Sequence, residues 1–318
     1  MNRLYIILLA LLALACEETV DIPLPEHTAR LVFFSATQPE DSLRLHLTRS
    51  YGPLERVTMN DLLIDNAEVT FFLNGVDQGQ VQYRDTSLHS QFGDGDSSSY
   101  YLSLGEPAQA GDRITIEVSH PDFETARGET VIPQAGSVIQ SQLIQNAFRS
   151  VSSANDAYTQ SLLRLTFSNP NDAAIFYRVN RAFFSFINPT APNQQQFGVM
   201  TILGPAVPAS DGGFESLELY AEQPSSGEIT IDFLCELPNA YAPVDQWVEV
   251  EPDSLWIETE FANSDYAQYF EKLRAQQQSA GGINLTPAEP VELYSNVEGG
   301  HGVVGSFIIR TDSLVFTE

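Results

Sequence analysis

Basic residues are scarce in this sequence. Lys and Arg together number 15 against 42 Asp and Glu residues, so the formal net charge is −27 at pH 7. Lys272 is the only lysine. Because nucleic-acid binding depends on neutralising phosphates with cations, the composition argues against a nucleic-acid partner. It also argues against attachment to anionic lipid headgroups through a basic patch. The acidity favours a role in colloidal solubility, and a cation-binding surface is the alternative.

Long apolar runs are also missing. The apolar stretch Leu4–Ala15 spans 12 residues, whereas a membrane-spanning helix needs about 20. It follows the charged start Met1-Asn2-Arg3 and ends on small residues, a pattern typical of a secretory signal. The segment Leu12-Ala13-Leu14-Ala15-Cys16 resembles a bacterial lipoprotein signal, which implies that residues 1–15 are removed and Cys16 is lipidated. An ordinary secreted chain or an uncleaved anchor is the alternative.

Cysteine is almost absent, since the sequence contains only Cys16 and Cys235. If Cys16 carries lipid, Cys235 has no partner and no intramolecular disulfide exists. Cys235 has the same strand parity as the apolar residues Ile229, Ile231 and Phe233. We therefore predict a small buried side chain at this position, with a reactive thiol as the alternative.

Sequence motifs of common active sites are missing too. The sequence has no His-Glu-x-x-His, no Gly-x-Ser-x-Gly and no phosphate-binding loop, and its five histidines are not at metal-ligand spacing. We therefore predict no catalytic residue, no metal site and no cofactor. The segment Asp94-Gly95-Asp96 has oxygen ligands that suit Ca²⁺, but a solvated hairpin loop is the favoured interpretation.

What the sequence does contain is a series of short alternating segments. Residues 16–28 are acidic and proline-containing, which predicts an extended tether. Over residues 29–133, segments such as Leu43 to Leu47 and Ile114 to Val118 alternate apolar and polar side chains, and Asn74-Gly75 is a strong hairpin signal. The regular spacing predicts an antiparallel β-sandwich of immunoglobulin or fibronectin-like type.

The sequence pattern over residues 137–318 predicts a second, β-rich domain with one packed α-helix. The helix is expected to begin near Asn263 or Ser264, both good N-cap residues. The apolar stripe of the helix consists of Tyr266, Tyr269, Phe270 and Leu273. We expect this stripe to pack against the rest of the protein, and a sugar-stacking face is the alternative. A final pair of strands is expected at Val303–Arg310 and Ser313–Thr317. The glycines around His301 favour a tight chain crossing over a ligand-binding loop.

Four segments of the chain resemble the Bacteroidota outer-membrane lipoprotein family of domain of unknown function 4249. The segments are Cys16 to Pro25, Asp65-Asn66-Ala67-Glu68-Val69-Thr70, Ser264-Asp265-Tyr266-Ala267-Gln268-Tyr269-Phe270 and Tyr294 to Gly305. The resemblance implies an accessory lipoprotein of a TonB-dependent receptor on the outer face of the outer membrane. No catalytic residue transfers from the family, and only Cys16 transfers as a functional position.

We therefore expect a non-enzymatic, lipid-anchored binding or docking subunit that assists a TonB-dependent receptor in nutrient uptake. It would attach to the membrane through the lipid on Cys16 and be exposed at the cell surface. A structural or adhesion module is the main alternative, and an extracellular glycan or peptide hydrolase is less favoured.

Overall fold

The computed structural model is built mainly from β-strands, as the sequence predicts. It describes residues 27–39, 42–52, 55–84, 99–153, 156–169, 175–187, 194–223, 227–247, 249, 251–280 and 292–315. The expected signal segment 1–15, Cys16 and the Asp94–Asp96 segment lie outside these residues. In the part of the chain that is described, no helix is long and apolar enough to cross a bilayer.

Nineteen strands follow one another along the described residues. The first nine are β1 (Leu31–Thr37), β2 (Ser42–Arg49), β3 (Glu68–Leu73), β4 (Val76–Asp77), β5 (Gln82–Arg84), β6 (Ser99–Ser103), β7 (Arg113–His120), β8 (Phe123–Val131) and β9 (Ser137–Ser153). The others are β10 (Asp156–Asn169), β11 (Ile175–Ile187), β12 (Gln195–Pro205), β13 (Val207–Pro208), β14 (Phe214–Glu215), β15 (Ala221–Gln223), β16 (Gly227–Glu236), β17 (Pro252–Ala262), β18 (Val297–Glu298) and β19 (His301–Val315). Two helices accompany them, α1 (Met59–Leu62) and α2 (Ser264–Ala280).

The strands form a large sheet, a small sheet and a two-stranded hairpin. The large sheet has 12 strands in the order β5-β6-β2-β1-β19-β17-β11-β12-β16-β10-β9, with β15 beside β11. The small sheet has five strands in the order β18-β8-β7-β3-β4, and β13 pairs with β14. The large sheet curls, so that Val138 at the start of β9 donates its backbone N–H to Asp312 of β19 at 3.2 Å.

One apolar core is shared by the two sheets. Strands β1 and β2 contribute Leu31, Phe33 and Leu45, whereas β3 and β7 of the small sheet contribute Phe71 and Ile116. All five side chains are almost completely buried, because alternate residues of a strand point to the same face. The cluster also includes Val297 and Val304 from the end of the chain, so the first and last parts of the sequence share this core.

A second core fills the concave inner face of the curled half of the large sheet. It is rich in stacked and edge-on aromatic rings, with Phe167 and Tyr177 only 4.5 Å apart between ring centroids. Cys235 is fully buried in this cluster, which confirms the predicted small buried side chain. Its burial raises the pKa of the thiol to about 12. The thiol therefore stays protonated and unreactive at neutral pH.

The end of the chain corrects the predicted topology. Val303–Arg310 and Ser313 onward form one continuous strand, β19, rather than a strand pair. His301–Ser306 pair with β1 in parallel, and Phe307–Val315 pair with β17 in antiparallel orientation. The expectation that the first half is antiparallel throughout is therefore wrong at this pair. The strand stays continuous because it changes partners rather than direction.

Glycine allows this close strand crossing, as the sequence suggested. Gly302 has φ +110, and a Cβ atom there would overlap the backbone of Phe33 in the adjacent strand β1. His301 beside it is exposed. The Asn296 side chain donates to the carbonyl oxygen of Val304 at 2.9 Å and accepts from its N–H at 2.9 Å. The glycine-rich segment is thus occupied in strand packing.

Helix α2 begins where the sequence predicts. Asn263 is the N-cap residue, because its Oδ1 accepts from the backbone N–H of Tyr266 at 3.1 Å. The apolar stripe of the helix packs on the large sheet, where the Tyr266 ring stacks on Phe307 at 4.9 Å between centroids. Tyr266 is buried. The stripe is therefore a packed interface rather than a sugar-stacking face.

Candidate binding surface

The outer face of the large sheet carries an aromatic patch, which we define as the exposed residues Phe183, Phe197 and Val199 and the half-buried Trp256. Phe183 in β11 lies opposite Val199 in β12 and Trp256 in β17. The Phe197 and Trp256 rings are 5.9 Å apart between centroids. Phe197 is 69% exposed and Val199 is 56% exposed. Large apolar side chains grouped in this way are typical of interaction surfaces.

Strand alternation places these residues outside while their neighbours fill the core. Phe184 and Met200 are buried in the second core, so Phe183 and Val199 face the opposite side of the sheet. Gly198 helps this packing, because a Cβ atom there would overlap the Phe184 ring. The adjacent residues Phe183 and Phe184 thus have opposite roles, one in the surface and one in the core.

A depression of about 300 Å³ adjoins the aromatic patch at Val199. Its walls are formed by β12, by the end of β16 and by the turn that follows, and include Val199, Thr201, Glu236, Asn239 and Tyr241. Thr201 and Glu236 are cross-strand partners. Of the described residues that line the depression, none is a lysine or an arginine.

The Tyr241 ring is the most exposed aromatic side chain at this depression, with 72% of its surface accessible. Its hydroxyl donates to Glu236 Oε1 at 2.7 Å, which raises the pKa of the tyrosine. One face of the ring stacks on Tyr158, with the centroids 6.1 Å apart and the planes 25° apart. These two contacts orient the ring, and most of its surface stays accessible to solvent.

The turn that carries Tyr241 is held by backbone hydrogen bonds. Thr159 of β10 donates its N–H to the carbonyl oxygen of Ala240 at 2.8 Å. Within the turn, Ala240 donates to Leu237 at 2.9 Å and Ala242 donates to Asn239 at 3.2 Å. A wall fixed in this way reduces the entropy lost when a ligand binds.

A second part of the same outer face is covered by helix α2 and contains a buried polar network. Glu260 of β17 is only 4% exposed. It accepts hydrogen bonds from the Tyr220 hydroxyl and from Asn180 Nδ2, the latter at 3.1 Å. Burial, with Glu260 adding to it, raises the pKa of Tyr220. The Arg178 guanidinium lies 6.0 Å from the Tyr220 ring centroid. Because helix α2 closes this network off, we assign it a structural role.

A second depression, of about 340 Å³, lies on the small sheet beside β3 and β4. Its only aromatic lining residue among the described ones is Tyr100, which is buried. The Tyr100 hydroxyl accepts the backbone N–H of Ala67 at 2.8 Å. Among the described residues that line this depression there is therefore no exposed ring on which a ligand can stack.

The residues of the observed surface are not among those that the sequence marked as candidate site residues. Cys16 and Asp94–Asp96 lie outside the described residues, so the structure gives them no position. Among the residues that are described, no group of three or more His, Cys, Asp or Glu side chains is placed to hold a metal ion. The sequence pattern did not indicate that the aromatic patch or Tyr241 lies at the surface. One feature could have indicated the patch, namely the adjacent pair Phe183-Phe184, because in a strand one of these two rings must face away from the core.

Comparison with protein families gives one match over most of the chain. A family model described as domain of unknown function (DUF4249) matches residues 17–312. No curated protein matches the chain in sequence.

Proposed function

The chain belongs to the family of the domain of unknown function DUF4249, and we propose that it is a lipid-anchored, non-enzymatic binding subunit. In this proposal it is exposed on the outer membrane of a Bacteroidota cell and assists a TonB-dependent receptor in nutrient uptake. Its first half, residues 29–133, would be a β-sandwich of immunoglobulin or fibronectin-like type, and residues 137–318 would be the second domain. The core shared by the two sheets supports the sandwich assignment.

The exposed aromatic patch is the observation that carries the proposal. Phe183, Phe197, Val199 and Trp256 lie on three neighbouring strands and form one apolar area on the sheet. Aromatic side chains are enriched where proteins bind one another, and surrounding polar residues keep such a patch specific. We assign this patch to contact with the receptor.

The expected anchor explains how a modest patch suffices for association. A diacylglyceryl group on the Cys16 thiol and an acyl chain on its amino group would hold the protein firmly, because stable anchoring takes more than one chain. Residues 16–28 would tether the folded body close to the membrane. Confinement to one surface raises the effective concentration of the two proteins, so a weak contact is sufficient.

The acidic composition is compatible with this location. A net charge of −27 repels anionic surfaces, so the lipid rather than the protein surface would provide membrane attachment. The same charge favours a receptor surface that carries arginine and lysine around an apolar centre.

Association with the receptor can be tested by co-purification from mildly solubilised cells that express the tagged protein. We expect a TonB-dependent receptor to co-purify with the native chain and to be lost with Phe197→Ser. The matched control is Tyr51→Ser, because Tyr51 is also exposed but lies near β2, away from the patch. Recovery of the lipoprotein alone, or equal recovery of the receptor with Phe197→Ser, contradicts the proposal.

A structural or adhesion module is the second candidate, and the same aromatic patch favours it because such modules bind through flat apolar surfaces. It predicts attachment to cells or matrix without a co-purifying receptor. Cell-adhesion assays with the native chain and Phe197→Ser separate the two functions.

A further inference from the structure

We propose that the depression between β12, the end of β16 and the Leu237–Ala242 turn binds a neutral saccharide, with Tyr241 as the stacking platform. The inference rests on the proposed function, since it names the ligand class that a nutrient-binding subunit would hold at this place. It concerns a site next to the aromatic patch rather than the patch itself.

The shape of the depression suits a small ring-shaped ligand. Its volume of about 300 Å³ is at the lower end of the range of roughly 300–1,000 Å³ that small-molecule sites occupy. One or two sugar rings therefore fit, whereas a folded partner does not. Tyr241, one of its lining residues, is exposed to solvent.

The Tyr241 ring offers a flat, largely exposed surface, with 72% of the side chain accessible. Tyr241 is the only aromatic side chain among the described lining residues, so a ligand meets a single platform instead of an aromatic cage. The C–H groups on one face of a pyranose ring form a flat apolar surface that matches such a platform. A quaternary ammonium group is recognised by several rings that surround it, and the described lining residues supply only Tyr241.

The polar groups of the depression suit hydroxyl groups. Glu236 accepts one hydrogen bond from Tyr241 through Oε1, and its carboxylate has further lone pairs available for ligand O–H donors. Thr201 and Asn239 both donate and accept through a hydroxyl and a carboxamide. This combination of an aromatic platform with a carboxylate and an amide fits a ligand that has an apolar face and several hydroxyls at its edge.

The electrostatics exclude anionic ligands. The described lining residues include Glu236 and no cation, and the whole chain has a net charge of −27. A phosphate, a uronic acid or a sulfated sugar would therefore meet repulsion without a compensating partner. The saccharide is expected to be uncharged.

The test is saturation-transfer NMR on the full-length protein in detergent micelles. The probes are the neutral disaccharides maltose, cellobiose, lactose and chitobiose, with glucuronate and glucosamine as charged comparisons. We expect at least one neutral disaccharide to bind and Tyr241→Ala to weaken that binding by about tenfold or more, since one stacking contact supplies an energy of this order. Tyr51→Ala is the matched control and should leave binding unchanged.

Three outcomes overturn the inference. They are no signal from any neutral probe at millimolar concentration, equal binding by Tyr241→Ala, and binding of a charged probe alone. Because Tyr241 is exposed, Tyr241→Ala should unfold at the same temperature as the native chain, which shows that a loss of binding is local. Tyr241→Ala should also still co-purify with the receptor, so saccharide binding and receptor association can fail separately.

Discussion

At the scale of single residues, the burial of Cys235 predicts a loss of stability at alkaline pH. Burial raises the pKa of its thiol from its ordinary value to about 12. In the folded state the thiol stays protonated, whereas in the unfolded state it ionises at about pH 8.5. The stabilisation is therefore fully present below the unfolded pKa and is lost as the pH rises towards about 12.

We predict that Cys235→Ala reduces the pH dependence of unfolding in this window. Each group that ionises only when unfolded lowers the free energy of unfolding by about 1.4 kcal/mol per pH unit. Urea unfolding between pH 7 and pH 11 measures the slope. Burial also raises the pKa of Tyr177 to about 12, so some slope should remain in the variant. Identical slopes in the two proteins would show that Cys235 is not buried as described.

Glu260 is a second residue whose surroundings give a definite prediction. Glu260→Ala removes the acceptor of the Tyr220 hydroxyl and of Asn180. We expect a loss of about 1–3 kcal/mol for each buried donor left without a partner, measured by urea unfolding. Glu228→Ala is the control, because Glu228 is an exposed glutamate, and it should change stability by no more than about 0.5 kcal/mol. Equal effects of the two variants would contradict the structural role of the network.

At the scale of elements, helix α2 and strand β19 differ in how far the sequence determines them. The helix could be predicted because Asn263 and the Tyr266, Phe270 and Leu273 spacing are local signals. The partner strands of β19 could not be predicted, because its pairing with β1 joins opposite ends of the chain and leaves no local sequence pattern. The glycines indicated only that two backbones come close.

Gly302→Ala tests the close crossing of β1 and β19. We expect a larger loss of stability than for Gly75→Ala, by about 1–3 kcal/mol of overpacking. Both glycines have positive φ, but Gly75 lies in a hairpin turn with open space around it, whereas Gly302 abuts Phe33. Thermal or urea unfolding of the two variants measures the difference. Equal losses would mean that backbone conformation alone, and not the crossing, requires glycine at position 302.

The candidate site could not be predicted at the element scale either. Tyr241 lies in the Leu237–Ala242 turn, where no periodicity indicates which side chains face solvent. The aromatic content of Ile175–Ile187 was visible in the sequence, but its division between core and surface depends on which neighbouring strands cover each face. Phe184 is covered and Phe183 is not.

At the scale of the whole molecule, the sequence indicated mainly β structure with one long packed helix, because alternation and turn signals are local. The proposed division into residues 29–133 and 137–318 has a consequence that can be measured. Strand β19 lies between β1 and β17 in the large sheet, and Val297 and Val304 belong to the first core. The first half therefore depends on the end of the chain.

We predict that a fragment of residues 27–136 does not fold cooperatively on its own. It lacks the strand that pairs with β1 and two side chains of its core. Circular dichroism and NMR dispersion of the fragment, alone and mixed with residues 137–318, are the measurements. Folding only in the mixture is the expected result, and an independently folded fragment would contradict the dependence on β19.

The proposed function depends most on covalent attachment of the protein to a membrane. Mass spectrometry of the mature N-terminus tests this directly in cells that make the native chain. We predict a first peptide that begins at Cys16 and carries a diacylglyceryl group and an acyl chain. An unmodified peptide that begins at any other residue would contradict it.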